Sequence, residues 1–258
     1  MNFNISLLPQ VALLFMLLFA RVGTMLMLMP ALGEGSISPR VRLALALLLT
    51  LAFYPLVTPL YAIDVAGATP AGIAVLLAGE FAVGFFIGLG ARLITYTLSI
   101  AGMVIASQSG LAFAMATDPT MDGQQGAVIG SFLSLLGVTL VFASDLHFLV
   151  IAAMYDSFEL FPPGGPLPVG DLAQTATSLV GEVFTIAIRM SAPFLVVGLV
   201  FYFGLGLLNK LMPQMQIFFI AMPLNIAIGG LMLFALLVTM MMWYLGHFET
   251  ALGRFIAG

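Results

Sequence analysis

The sequence predicts an all-α, polytopic membrane-type protein of about six hydrophobic helices, and three observations predict it. Of its 258 residues, 62% are hydrophobic and only 7% are charged, too few polar groups to build a water-facing surface of ordinary polarity. The apolar residues run in continuous stretches instead of alternating in polarity, as the strands of a membrane barrel must. The connections are short and punctuated by proline and glycine, so no soluble domain fits between the stretches.

The first stretch, Ile5–Leu32, lacks a basic lead-in and reaches spanning length, so it reads as a retained helix and not as a cleaved signal. Val41–Ile63 follows a connection containing Pro39, and Ile73–Ala106 follows one ending at Pro70. Ala127–Met154, Leu179–Leu208 and Ile217–Phe248 complete the six, each near or above the roughly 20 residues that cross a bilayer. Between them lie Ser107–Gln125, Ser157–Ser178 with its PPGGPLP run, and Asn209–Gln216 with Pro213. Arg40, Arg42 and Lys210 flank the first and fifth connections, whereas the second and fourth carry Asp64, Asp156, Glu159 and Asp171. Positive-inside counting then places both termini outside.

Charge and composition exclude several classes of function. Eleven acids stand against seven bases with no basic run, which leaves no groove for nucleic acid. Cysteine is absent, removing disulfides, thiolate metal sites and cysteine nucleophiles. No nucleophile elbow, HExxH, P-loop or strand-borne glycine fingerprint occurs; the GxG runs at Gly88–Gly90 and Gly204–Gly206 lie inside apolar helices. Neither an enzyme nor a cofactor or metal site is expected.

Ionisable residues inside the apolar stretches carry the most information. Arg21, Glu80, Arg92, Asp145, His147, Glu182 and Arg189 would each cost about 2.5–3.5 kcal/mol or more facing lipid at mid-membrane. They should face protein or water. Glu182 and Arg189 stand two turns apart on one helix face, whereas Asp145 and His147, two residues apart, point to different faces. A proton or ion path with Glu80, Glu182 and Asp145 as carboxylates of a small-solute transporter is one reading; a buried polar network of Glu80, Arg92, Asp145, His147, Glu182 and Arg189 that glues subunits is the other. Glycines four apart, Gly84 with Gly88 and Gly126 with Gly130, allow helix backbones to approach closely.

The third connection, SQSGLAFAMATDPTMDGQQG, places Leu111, Phe113, Met115 and Met121 between Gly110 and Gly123. An apolar loop wants burial. It is either a packed or re-entrant loop, or a closure element whose adaptable Met and Phe side chains fill a passage. The fifth connection, with Lys210, Pro213 and Gln214, reads as a helical hairpin tip, either a plain link or a point where partners dock.

Nearly the whole chain resembles the FliR family of flagellar export-gate membrane proteins, together with its virulence-secretion counterpart SctT. The resemblance rests on Pro30, Gly33 and ISPRVRLALALLLTL, then Glu80, Gly84 and Gly88, then Gly102, Gln108, Gly110 and Asp118-Pro119. DLHFLVIAAMYDSFELFPPG, Ala192-Pro193 and, most specifically, NKLMPQMQIFFIAMPLNIAIGG follow in order. This resemblance implies a core subunit of a type III export gate at the flagellar basal body in the bacterial inner membrane. FliP and FliQ would build the pore with it and FlhB would wrap around it. Unfolded flagellar subunits would pass. It also implies a FliP-like part over residues 1–178 and a FliQ-like hairpin over 179–258. A plug loop would fall on Gln108, Gly110, Leu111, Phe113, Met115, Asp118, Pro119, Met121 and Asp122, and an entrance at Lys210, Pro213 and Gln214. Some apolar helices would then contact protein above the bilayer instead of lipid.

Overall fold

A computed structural model of the protein describes residues 8–30, 38–61, 69–111, 127–212 and 217–256. It is helical throughout, with no strand among the described residues. In chain order the helices are α1 (Leu8–Leu28), α2 (Pro39–Val57), α3 (Pro70–Gln108), α4 (Ala127–Ala143), α5 (His147–Leu160), α6 (Val169–Leu211) and α7 (Ile217–Leu252). Short 3-10 turns at Thr58–Leu60 and Gly253–Phe255 follow α2 and α7. Five helices are long and apolar enough to cross a membrane, or six if the bent pair α4–α5 counts as one span.

Proline sets several helix starts, because its fixed φ suits the first turn and its missing N–H removes no helical bond there. Pro39 and Pro70 each open a helix. Before α3, the Thr69 hydroxyl accepts the Gly72 N–H at 3.2 Å, an N-cap bond. Pro55 lies in the last turn of α2, and the chain tightens there into the 3-10 turn, with the Thr58 hydroxyl donating to the Tyr54 carbonyl.

Two sequence boundaries need correction. The expected single helix Ala127–Met154 is two helices, bent by 79°, because Asp145 adopts φ 60° between α4 and α5. Left-handed backbone is tolerated by Asp more readily than by bulky residues, and one such residue ends the α4 ladder. Asp145 therefore sits in a turn, and its expected relation to His147 on a shared helix does not hold. The second correction concerns Val169–Ser178, read as connection; it forms the first turns of α6. Its polar side chains fold back on the helix, Thr177 bonding the Ala173 carbonyl at 2.8 Å and Ser178 that of Thr175 at 2.9 Å. Asp171 in the first turn complements the helix dipole.

The chain divides into two compact units. The first comprises Met1–Ile94, Phe142–Leu179 and Glu249–Gly258, with α1 at its centre. Leu13, Leu14, Leu17, Leu18, Val22, Met25 and Met29 are buried along α1 in a core with Phe53, Val57, Val83, Ile87, Met154, Phe158 and Phe255. Spacings of three and four turn those residues toward the neighbours on successive turns. Gly84 and Gly88 do what their spacing predicts: a Cβ on Gly84 would stand 2.6 Å from the Arg21 carbonyl oxygen, and one on Gly88 would stand 2.9 Å from Leu28 Cβ. Such contact between α1 and α3 gains van der Waals energy that larger residues would forbid.

The second unit comprises Thr95–Val141 and Val180–Phe248. Here α3 and α4 touch backbone to backbone, for a Cβ on Gly102 would collide with the Gly130 main chain. Beside this crossing the Ser99 and Ser134 hydroxyls share a hydrogen bond at 2.8 Å. Helices α6 and α7 fold back on each other, since Phe201, Tyr202 and Leu205 line a small cleft with Ala221, Met222 and Asn225. Gly126 lies outside the described residues.

Candidate functional site

Two arrangements stand out, one in each unit. In the first, Arg21 of α1 is 1% exposed and Glu80 of α3 is 2% exposed. Arg21 Nε donates to Glu80 Oε2 at 2.5 Å, Nη1 to the Ser157 carbonyl at 2.8 Å, and Nη2 to the Phe161 carbonyl at 3.0 Å. Its guanidinium carbon lies 4.3 Å from the centroid of the Phe158 ring. One cation thus joins three segments. It neutralises Glu80, gives the Phe161 carbonyl just past α5 a donor, adds a second donor to the Ser157 carbonyl, which also accepts the Phe161 N–H at 3.0 Å, and places positive charge where the helix dipole favours it. Tyr61 is buried beside the same Phe158 ring, their centroids 6.3 Å apart. Above the pair opens a cavity of about 560 Å³ walled by Val75, Gly79, Leu160 and the Pro162–Pro168 run.

In the second unit the C-terminal end of α3 is held by α6 and α7. Asn225 Nδ2 donates to the Gln108 carbonyl at 3.0 Å. Gly110 follows with φ 71°, a conformation that suits a residue without Cβ, and the Cβ it lacks would stand 3.1 Å from Asn225 Nδ2. On α7, Gly229 lies against Ser109, and on α6 a Cβ at Gly198 would stand 2.5 Å from Gln108 Oε1. Ser109 is buried, and its hydroxyl bonds only within its own helix turn, to the Ala106 carbonyl at 3.3 Å.

Of the expected plug loop, Gln108 and Gly110 sit in the α6–α7 seat and Leu111 is half-buried; Phe113, Met115, Asp118, Pro119, Met121 and Asp122 lie outside the described residues. At the expected hairpin tip Lys210 is exposed in the last turn of α6, where a cation suits the dipole; Pro213 and Gln214 lie outside the described residues. Of the expected polar network, Glu80 is buried against Arg21. Arg92 and Glu182 are half-buried, and Asp145 and Arg189 are exposed on this chain. His147 is half-buried between rings, 5.3 Å from Phe142 and 4.2 Å from Phe148 by centroids. Sequence reasoning counted the cost of Arg21 without finding its partner 59 positions away. It also passed over Asn225, the lone amide within the apolar α7 segment IAMPLNIAIGG, which was the available signal.

These features define a multi-pass helical membrane protein that neutralises a deeply buried arginine internally and holds the C-terminal end of α3 against α6 and α7. The family model described as bacterial export proteins, family 1, matches residues 12–251, and the chain belongs to that family. It is 41% identical over 216 residues to the flagellar biosynthetic protein FliR of Caulobacter vibrioides, covering 83% of this chain and 84% of that protein. Against FliR of Escherichia coli K12 it is 28% identical over 218 residues, covering 84% and 81%. The Yop proteins translocation protein T of Yersinia pestis is 25% identical over 239 residues, covering 92% and 90%.

Proposed function

We propose that this chain is a core subunit of a flagellar type III protein export gate, a conduit component in the bacterial inner membrane at the flagellar basal body. The observation that carries the reading is the 41% identity to a flagellar biosynthetic FliR over 84% of that protein's length. In this reading FliP-like and FliQ-like subunits complete the pore, residues 1–178 acting as a FliP-like part and 179–258 as a FliQ-like hairpin, while an FlhB-like protein surrounds the assembly. Unfolded flagellar subunits enter past Lys210 and displace the segment Gln108–Asp122, which closes the passage at rest. Soft Met and Phe side chains suit that task because they repack around varied peptides and exclude water without binding one sequence tightly. The energy for transport comes from other parts of the machine.

Co-expression with tagged FliP-like and FliQ-like proteins tests the assembly. Co-purification of all three is expected, with unfolded substrate crosslinking to a photoreactive group at Phe113 or Met115. Recovery of the chain alone, catalysing solute flux by itself, would replace this reading with a small-solute transporter. Similarity to the Yersinia translocation protein T supports the neighbouring reading of an injectisome subunit, and restoration of motility in a flagellar deletion strain separates the two.

A further inference from the structure

Asn225 and Gly229 belong to neither the expected plug nor the expected hairpin tip, yet the end of α3 rests on them. We infer that Asn225 and Gly229 of α7, with Gly198 of α6, form a seat that positions Gln108–Gly110, and that occupation of this seat keeps the assembled pore ion-tight at rest. The inference rests on the export-gate reading and adds to it the residues that set the position of the end of α3.

Three observations carry it. The Asn225 amide holds the Gln108 carbonyl at 3.0 Å, at the helix end where carbonyls lack intrahelical partners, so the bond substitutes for one the ladder cannot make. At Gly110 the positive φ turns the chain immediately after the seat, and any side chain there would meet Asn225. At Gly229 the fit is tighter still, because a Cβ would overlap Ser109 Cβ and lie 3.1 Å from Ser109 Cα. No flexible side-chain end is available to give way there. Gly198 differs, since the atom it approaches is the far end of Gln108, which can rotate aside. Both supporting helices carry a proline nearby, Pro193 in α6 and Pro223 in α7. Each removes one rung of its helical ladder and softens the helix next to the seat. The seat is thus specific in fit and mounted on segments able to bend.

The test uses the full chain co-expressed in its complex, reconstituted into liposomes, with ion leakage as readout and recovery of the intact complex as the control for folding. Asn225→Ala removes the neutral hydrogen bond to Gln108 together with a long one to the Tyr202 hydroxyl at 3.5 Å, and a rise in leakage of about tenfold is expected, the equivalent of about 1.4 kcal/mol. Gly229→Ala should leak as well, and adding Ser109→Gly, which removes the colliding Cβ, should restore tightness. The rescue ties the leak to the Gly229–Ser109 contact, and recovery of the intact complex by each variant separates that leak from a failure to fold. Leakage from a chain lacking residues 111–122, combined with wild-type tightness of Asn225→Ala and Gly229→Ala, overturns the seat while leaving the plug standing. A tight complex without residues 111–122 defeats the plug reading, and the seat's role falls with it.

Discussion

Replacing Glu80 with glutamine leaves the Arg21 cation in place but strips it of its counter-charge. The guanidinium keeps the Ser157 and Phe161 carbonyls at 2.8 and 3.0 Å, which solvate it partially but supply no negative charge. Removing one partner of a buried ion pair costs about 3–5 kcal/mol. At about 2–4 °C per kcal/mol for a chain of this size, the midpoint of thermal unfolding in detergent should fall by roughly 6–20 °C. Arg21→Met strands Glu80 in turn and removes the donor from the Phe161 carbonyl. The double variant Arg21→Met/Glu80→Gln removes both charges, so it should lose less than the two single changes added together, by at least about 2 kcal/mol of coupling. The assay is fluorescence-detected size-exclusion chromatography after heating, applied to the wild type, both single variants and the double. If Glu80→Gln melts within a degree or two of wild type, or if the double loses the full sum, Arg21 and Glu80 are not a coupled pair and the account of the first unit is wrong.

Three further outcomes follow from backbone geometry. Gly102→Ala forces a methyl into the Gly130 main chain and should destabilise the isolated subunit by about 1–3 kcal/mol or more, read as a lower heating midpoint. Gly181→Ala is its control: nothing lies within 4 Å of the added carbon, and the helical preference of alanine should leave stability unchanged or raise it by up to about 1 kcal/mol. At the α4–α5 bend, Asp145→Asn should be tolerated in the same assay, whereas Asp145→Ile at φ 60° should cost about 1–2 kcal/mol.

Much of this fold was legible because an apolar, proline-punctuated chain has few alternatives. Pro39 and Pro70 announce the starts of α2 and α3, and Gly84 and Gly88 announce the face that meets α1. The break between α4 and α5 was less legible. It contains no proline or glycine, and only Ser144-Asp145 interrupt the apolar run, so a positive φ at a non-glycine residue had to be seen. The beginning of α6 was missed for the opposite reason. DLAQTATS is polar enough to suggest a loop, but its hydroxyls bond the preceding helical turn and the helix runs through. Burial cost marked Arg21 and Glu80 singly, but their pairing spans 59 positions and depends on how α1 and α3 cross. Asn225 was hidden because one amide in an apolar helix does not reveal which backbone carbonyl it serves.

The apolar surface of α6 extends further along its axis than a bilayer is thick. Large apolar side chains are exposed on α6 from Val180 through Phe184, Leu199 and Leu207 to Leu211, a rise of about 47 Å at 1.5 Å per residue. The hydrocarbon core of a bilayer is about 30 Å thick. Tilting such a stripe wholly into that core takes about 50° from the normal, beyond the roughly 0–40° seen for spanning helices. Pro193 does not resolve the excess, because a kink of about 30° shortens the end-to-end distance by under about 5%. Nor do the described residues cover this run, since only 17% of the most apolar window of α6 is buried. Lipid can therefore cover part of α6, and we propose that the apolar face of another polypeptide covers the remainder. A homogeneous preparation of the chain alone should aggregate or demand detergent well beyond a bilayer-sized belt, and co-expressed partner helices should abolish that demand.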